Sequence, residues 1–211
     1  RRDRQGPPAS PRYRVGCHGR SGVSDRTPRA YPARMRFDWA QSRRAFADAA
    51  AWFVEMTGRV GNRWEQPGLG EWTVRDLVGH TSRSLLTVET YLARPVEAAE
   101  IASAADYYLA TRQVAAGSGV AARGREAGIA LGADPPAEVQ RIAARVLPLL
   151  DDRTGGELMT TIAGGMRLGD YLPTRTFELA VHTTDLAAAL GEDADIPETA
   201  AEQALCLVAE L

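Results

Sequence analysis

Apolar and polar positions follow a helical period along most of the chain, and residues 174–190 carry both kinds on one face. A helix advances about 100° per residue, so the charged and titratable side chains of this stretch share an arc of roughly 80°. These side chains are Arg175, Glu178, His182 and Asp185, and the neighbouring arc holds Leu179, Leu186 and Leu190. Charged groups avoid the dry face of a helix unless something there compensates them. The pattern therefore predicts a polar cavity inside a helical bundle.

The same period predicts helices elsewhere in the chain, over residues 38–60, 73–94, 102–114, 135–148 and 197–211. The second of these should begin with a capping box, in which Thr73 and Asp76 bond each other's backbone N–H groups. Residues 151–171 are expected to be irregular or weakly extended, with Pro173 just before the central helix. No segment shows a convincing β pattern. The predicted fold class is therefore all-α.

Charge divides the chain into two unequal parts. Residues 1–34 contain nine arginines and two aspartates, a net charge of +7, whereas the remaining 16 arginines and 25 acidic residues give −9. The first part is rich in Pro, Gly and Ser without periodicity, so we expect a disordered extension, translated from upstream of a start at Met35. The domain is expected to span residues 35–211 and to be truncated, because a helical pattern still runs at Leu211. Nucleic-acid binding through the basic segment is an alternative, but the acidic remainder argues against it.

Composition excludes membrane-spanning and disulfide-based classes of protein. No apolar run approaches the roughly 20 residues that cross a bilayer, and the N-terminus has no signal-peptide core. Only two cysteines are present, Cys17 and Cys206, which favours a reducing compartment. We therefore expect a cytoplasmic protein without a membrane or nucleic-acid partner.

A candidate metal site follows from the histidines. His80 and His182 lie at the edges of apolar stripes on different predicted helices, and Glu178 precedes His182 by one turn. Two imidazoles and a carboxylate leave a fourth position for water or substrate, as in catalytic zinc sites, and they also suit Fe, Ni or Mn. Asp185 and Arg175 are expected to orient a ligand or to contact an anion. Spacing alone leaves an alternative open, a buried ion-pair network among the four residues of the central helix.

Two segments resemble the paired motifs of the mycothiol-dependent maleylpyruvate isomerase family. They are WEQPGLGEWTVRDLVGH, from Trp64 to His80, and RTFELAVHTTD, from Arg175 to Asp185. The likeness extends over residues 37–211. It implies a DinB-like four-helix bundle with a metal, usually taken as zinc, held at the positions of His80, Glu178 and His182.

The resemblance also implies a thiol-dependent isomerase or S-transferase. The metal would activate a low-molecular-weight thiol such as mycothiol, which adds reversibly to an activated double bond or displaces a leaving group. The expected partners are this thiol and an electrophilic small molecule, with Arg175 as a candidate contact for a carboxylate. The alternative function is a non-catalytic module in which metal pins the bundle or senses a thiol. The aromatic residues Trp52, Trp72, Tyr107 and Tyr108 are expected to belong to the core.

Overall fold

The computed structural model describes residues 38–115 and 119–211, so the predicted extension over residues 1–34 lies outside the described part. The described residues form seven α-helices, one 3-10 helix and one two-stranded antiparallel sheet. In chain order these are α1 (Trp39–Gly58), α2 (Val74–Leu92), α3 (Ala104–Ala115), α4 (Gly119–Ala130), α5 (Pro135–Val146), the 3-10 helix (Leu147–Leu150), β1 (Leu158–Thr161), β2 (Gly164–Arg167), α6 (Leu168–Leu190) and α7 (Glu198–Glu210). The all-α prediction is confirmed.

Four helices, α1, α2, α5 and α6, form a ring in which each helix packs against two others. Each turns an apolar stripe inward, because helical spacing places residues three or four apart on one face. The stripes meet in one core, which includes the fully buried side chains of Phe46, Phe53, Leu77, Leu85, Val139, Leu172 and Leu179. The other helices pack outside this ring, α7 on α1 and α6, α4 on α2, and α3 on α6. The arrangement is the predicted DinB-like bundle.

The start of α2 matches the predicted capping box. The Thr73 hydroxyl accepts from the backbone N–H of Asp76 at 3.2 Å, and the Asp76 carboxylate accepts from the N–H of Thr73 at 3.1 Å. Two N–H groups that a helix start leaves without partners are thereby satisfied. This start fixes the beginning of the helix that carries His80 two turns later.

Residues 158–167 form a β-hairpin inside the segment predicted to be irregular or weakly extended, so the expectation that no segment forms β structure was wrong. Met159 pairs with Met166 across the hairpin, and both side chains are buried. Backbone bonds also tie the hairpin to the segment after α2, among them Thr160 N–H to the Arg94 carbonyl at 2.8 Å. Strands of four residues are too short to show a period of two, and it is these tertiary contacts that stabilise them.

The central helix begins at Leu168, earlier than predicted, and Pro173 lies inside it. A proline there removes one backbone bond, to the carbonyl of Gly169. The predicted C-terminal end at Leu190 is confirmed, with Gly191 in the left-handed conformation as its cap.

Helix α4 approaches α2 unusually closely, and glycine is the reason. A Cβ on Gly79 would lie 2.2 Å from the backbone nitrogen of Gly128, and a Cβ on Gly124 would lie 2.5 Å from the indole of Trp72. The absence of a side chain at these glycines therefore permits the close packing of the two helices. None of the helices in the described ranges has the length and hydropathy that crossing a membrane requires.

Candidate metal centre

The three residues that the sequence nominated as ligands lie together between two helices of the ring. His80 projects from α2, and Glu178 and His182 project from adjacent turns of α6. One potential ligand atom from each residue lies within 4.8 Å of the other two. The side chains of Glu178 and His182 are 22% and 17% exposed, so the cluster is largely withdrawn from water but is not sealed.

His182 lies between two carboxylates. Its Nδ1 is 3.0 Å from Asp185 Oδ2, and its Nε2 is 3.3 Å from Glu178 Oε2. Because an ionised carboxylate only accepts, Nδ1 carries a proton and donates it to Asp185. Burial opposes a charged ring, but the hydrogen bonds with Asp185 and Glu178 outweigh it and raise the pKa of His182 to about 9. The surroundings of His182 therefore favour its protonated, positively charged form.

Glu178 has a second partner on the side away from His182. The Tyr108 hydroxyl, from α3, donates to Glu178 Oε1 at 2.8 Å. Burial favours the neutral acid, but the hydrogen bond from His182 and the charge of Arg175, with a smaller effect of Tyr108, lower the pKa of Glu178 to about 2. Glu178 is therefore an anion across the physiological pH range, as a metal ligand must be.

His80 is held by ring contacts rather than hydrogen bonds. Its ring centroid lies 4.5 Å from that of Trp72 and 4.8 Å from that of His182. Its Nδ1 is buried and has no hydrogen-bond partner among the residues that the structure describes. Burial, reinforced by the charge of His182, lowers the pKa of His80 to about 4. The ring is therefore neutral at physiological pH, the form in which imidazole binds metals.

Arg175 departs from the network that spacing alone suggested. Its guanidinium lies over the rings of Tyr171 and Tyr107, with centroids at 4.8 and 5.4 Å, and its Nε donates to the Thr174 hydroxyl at 2.9 Å. Within the described residues it forms no ion pair, although it is only 9% exposed. Burial opposes its charge, yet Tyr171, Tyr107 and Glu178 keep the pKa of Arg175 above the ordinary arginine value. Of the four polar residues on this face of α6, ion pairs within the described ranges join Glu178, His182 and Asp185.

The aromatic residues around the cluster were assigned to the core by sequence reasoning, and two of them also contact the candidate ligands. Trp72 packs on His80 and donates from Nε1 to the Ala121 carbonyl at 3.1 Å, and Tyr108 bonds Glu178. The spacing of four residues could have placed Tyr171 beside Arg175 on α6. Nothing in the sequence places Tyr108 opposite Glu178, because 70 residues separate them.

The donor set fits a divalent metal ion. Two imidazoles, which bind metals in their neutral form, and an ionised carboxylate are ligands typical of zinc. Within the described part of the chain, Nδ1 of His80 has no hydrogen bond that metal binding would break. Asp185 holds the far nitrogen of His182 as partners of metal-bound histidines commonly do. The carboxylates of Glu178 and Asp185, which favour the protonated form of His182, would also favour a metal cation electrostatically.

A separate groove of about 460 Å³ lies between α1 and the 3-10 helix, lined in part by Trp39, Arg43 and Asp151. Arg43 is already paired with Asp151 there, at 3.0 Å. No histidine lines this groove, and none of the candidate ligands belongs to it.

Comparison with known proteins identifies the family. The family model described as the mycothiol maleylpyruvate isomerase N-terminal domain matches residues 64–187, more than half of the chain. This range contains both sequence motifs and every residue of the cluster. Comparisons with curated proteins and with solved structures gave no match. The chain therefore belongs to the mycothiol maleylpyruvate isomerase N-terminal domain family.

Proposed function

We propose that this protein binds one divalent metal ion, zinc by its ligand chemistry, through His80, Glu178 and His182. We further propose that it catalyses a mycothiol-dependent isomerisation or S-transfer. The observation that supports this most directly is the convergence of the three donor atoms within 4.8 Å. Three protein ligands at a partly accessible position are typical of catalytic rather than closed structural sites.

The chemistry that the metal supplies when bound is stabilisation of a thiolate over a thiol, which gives a nucleophile at neutral pH. The protein's own residues prepare the position for it. Asp185 holds the Nδ1 proton of His182, which leaves Nε2 to face Glu178. Trp72 packs against His80 and limits the rotation of its ring. The surrounding bundle restricts the access of competing water.

We propose that Arg175 binds an anionic group of the thiol or of the electrophile. Its guanidinium is buried and forms no direct ion pair with a carboxylate in the described part of the chain, so an anion in the site would give it a direct partner. The rings of Tyr107 and Tyr171 hold the guanidinium in place without neutralising it. A planar guanidinium matches a carboxylate in bidentate fashion.

The test of this function uses the whole 211-residue chain with one equivalent of zinc and with mycothiol. Isomerisation of maleylpyruvate and S-transfer to 1-chloro-2,4-dinitrobenzene are followed by absorbance, with glutathione replacing mycothiol as a matched control. We expect turnover in at least one assay that requires both zinc and mycothiol. His80→Ala should abolish it, and Arg175→Gln should raise KM for the substrate or thiol that carries the anion.

The visible spectrum of the cobalt-substituted protein distinguishes the alternative function. Mycothiol that reaches the metal changes this spectrum. A protein that binds cobalt but shows neither a mycothiol-dependent spectral change nor turnover would be a non-catalytic metal-binding module, and the enzymatic part of the proposal would be wrong.

A further inference from the structure

Tyr108 lies where α3 meets the candidate metal centre, and its hydroxyl has two neighbours on α6. One is Glu178 Oε1 at 2.8 Å, and the other is the backbone carbonyl of Thr174 at 3.2 Å. A hydroxyl has a single proton, and bonds to an ionised acceptor are shorter and roughly twice as strong as neutral ones. The hydroxyl therefore donates its proton to Glu178. Its short distance from the Thr174 carbonyl shows that it lies close to the backbone of α6.

The two carboxylate oxygens of Glu178 consequently have different surroundings. Oε1 is bonded to Tyr108, whereas Oε2 faces Nε2 of His182 at 3.3 Å. A glutamate side chain has three rotatable bonds, and ordering it costs conformational entropy. Tyr108 removes part of this freedom in advance by holding Oε1, the oxygen that is not paired with His182.

The Tyr108 side chain is itself well fixed. Its ring makes edge-to-face contacts with Phe177 and Tyr107, at centroid distances of 5.7 and 5.9 Å. Burial and the negative charge of Glu178 raise the pKa of Tyr108, so the hydroxyl keeps its proton and remains a donor. Edge-to-face contacts prefer one ring orientation, which directs the hydroxyl at Glu178.

From this geometry we propose that Tyr108 is a positioning residue for the metal centre, which holds Glu178 so that Oε2 is presented to the ion between the two histidines. The proposal depends on the metal site proposed above, and it makes α3 part of that site. Hydrogen-bonded partners of metal ligands typically contribute 10- to 100-fold to metal affinity.

The test is the zinc affinity of the whole 211-residue chain, measured by competition with a chromophoric chelator, for wild type and for Tyr108→Phe. This substitution keeps the ring and removes only the hydroxyl. We expect zinc to bind about 10- to 100-fold more weakly, and the visible spectrum of the cobalt form to change because the carboxylate is no longer fixed. Tyr91→Phe is the matched control, since Tyr91 is also half-buried but its ring packs on Tyr171, outside the ligand set.

Testing Tyr108→Phe in the Glu178→Ala variant distinguishes a positioning role of Tyr108 from a general loss of structure. In Glu178→Ala, the residue through which Tyr108 acts is absent, so adding Tyr108→Phe should leave the residual zinc affinity unchanged. Unaltered affinity and cobalt spectrum in Tyr108→Phe would overturn the proposal, as would an equal loss in the Glu178→Ala background. A wild-type protein that takes up no zinc would instead refute the metal site itself.

Discussion

The contact between α2 and α4 provides a sharp test of the fold, because it depends on a missing methyl group. Gly79 lies directly before His80, and α2 approaches α4 at this point. An alanine Cβ at position 79 would lie 2.2 Å from the Gly128 nitrogen and 2.5 Å from the carbonyl carbon of Ala127, whereas ordinary contacts begin at 3.4 Å. Gly79→Ala therefore requires the two helix backbones to separate by about 1.2 Å (3.4 minus 2.2).

Two opposing effects decide the free energy of unfolding of Gly79→Ala. Alanine is favoured over glycine inside a helix by about 1 kcal/mol. Overpacking of a well-packed contact typically costs about 1 to 3 kcal/mol, and here the obstacle is backbone that cannot rotate away, so the upper end applies. The net expectation is a loss of about 2 kcal/mol, and for a chain of this size a fall of about 4 to 8 °C in Tm.

The assay is urea unfolding followed by circular dichroism, with Gly58→Ala as the matched control. Gly58 is the last residue of α1, it is exposed, and a Cβ there would meet nothing within 4 Å. This control should be neutral or stabilised by up to about 1 kcal/mol. If Gly79→Ala is as stable as Gly58→Ala, the close packing of α2 on α4 is wrong.

Two further predictions concern the candidate ligands. Asp185→Ala removes the acceptor of the His182 Nδ1 proton and should weaken zinc binding about 10- to 100-fold without unfolding the protein. Chelator competition measures the zinc affinity, and wild-type affinity in the variant would contradict the orienting role of Asp185. In chelator-treated protein, proton NMR should show His182 titrating at about pH 9 and His80 staying neutral down to about pH 4, with His182→Gln and His80→Gln assigning the signals. Because the folded-state pKa of His182 exceeds its ordinary value of 6.5, its charge stabilises the metal-free fold fully below about pH 6.5, and this contribution is lost as the pH rises through 9. Ordinary pKa values for both residues would refute the described contacts.

Sequence periodicity predicted the elements whose stability is mostly local. The cap and apolar stripe of α2 and the C-terminal end of α6 are properties of neighbouring residues, and the structure has both as predicted. The hairpin and the early start of α6 depend on tertiary contacts. Met159 and Met166 are buried by contacts with segments that are distant in the sequence. Pro173 is tolerated inside α6 because neighbouring helices pack against that helix.

The residues of the candidate site likewise divide into those that the sequence predicted and those whose contacts depend on the tertiary structure. Helical spacing and the family motifs together nominated His80, Glu178 and His182, and the structure brings them into one cluster. The same spacing grouped Arg175 with the acidic residues, but a shared face does not decide which neighbour a side chain contacts. The guanidinium turns to aromatic rings from α6 and from α3. Tyr108 could not be predicted, since its partner lies 70 residues away and neither residue carries a signal of the other.

The measurement that tests the central claim most directly is the metal content of the purified protein, determined by mass spectrometry on wild type beside His80→Ala and Glu178→Ala. The account predicts about one transition metal ion per wild-type chain and loss of that metal in both variants, with the helical circular dichroism spectrum retained. Wild-type protein that contains no metal and takes up none when zinc is added would contradict it. The cluster of Glu178, His182 and Asp185 would then be a structural ion-pair network within α6.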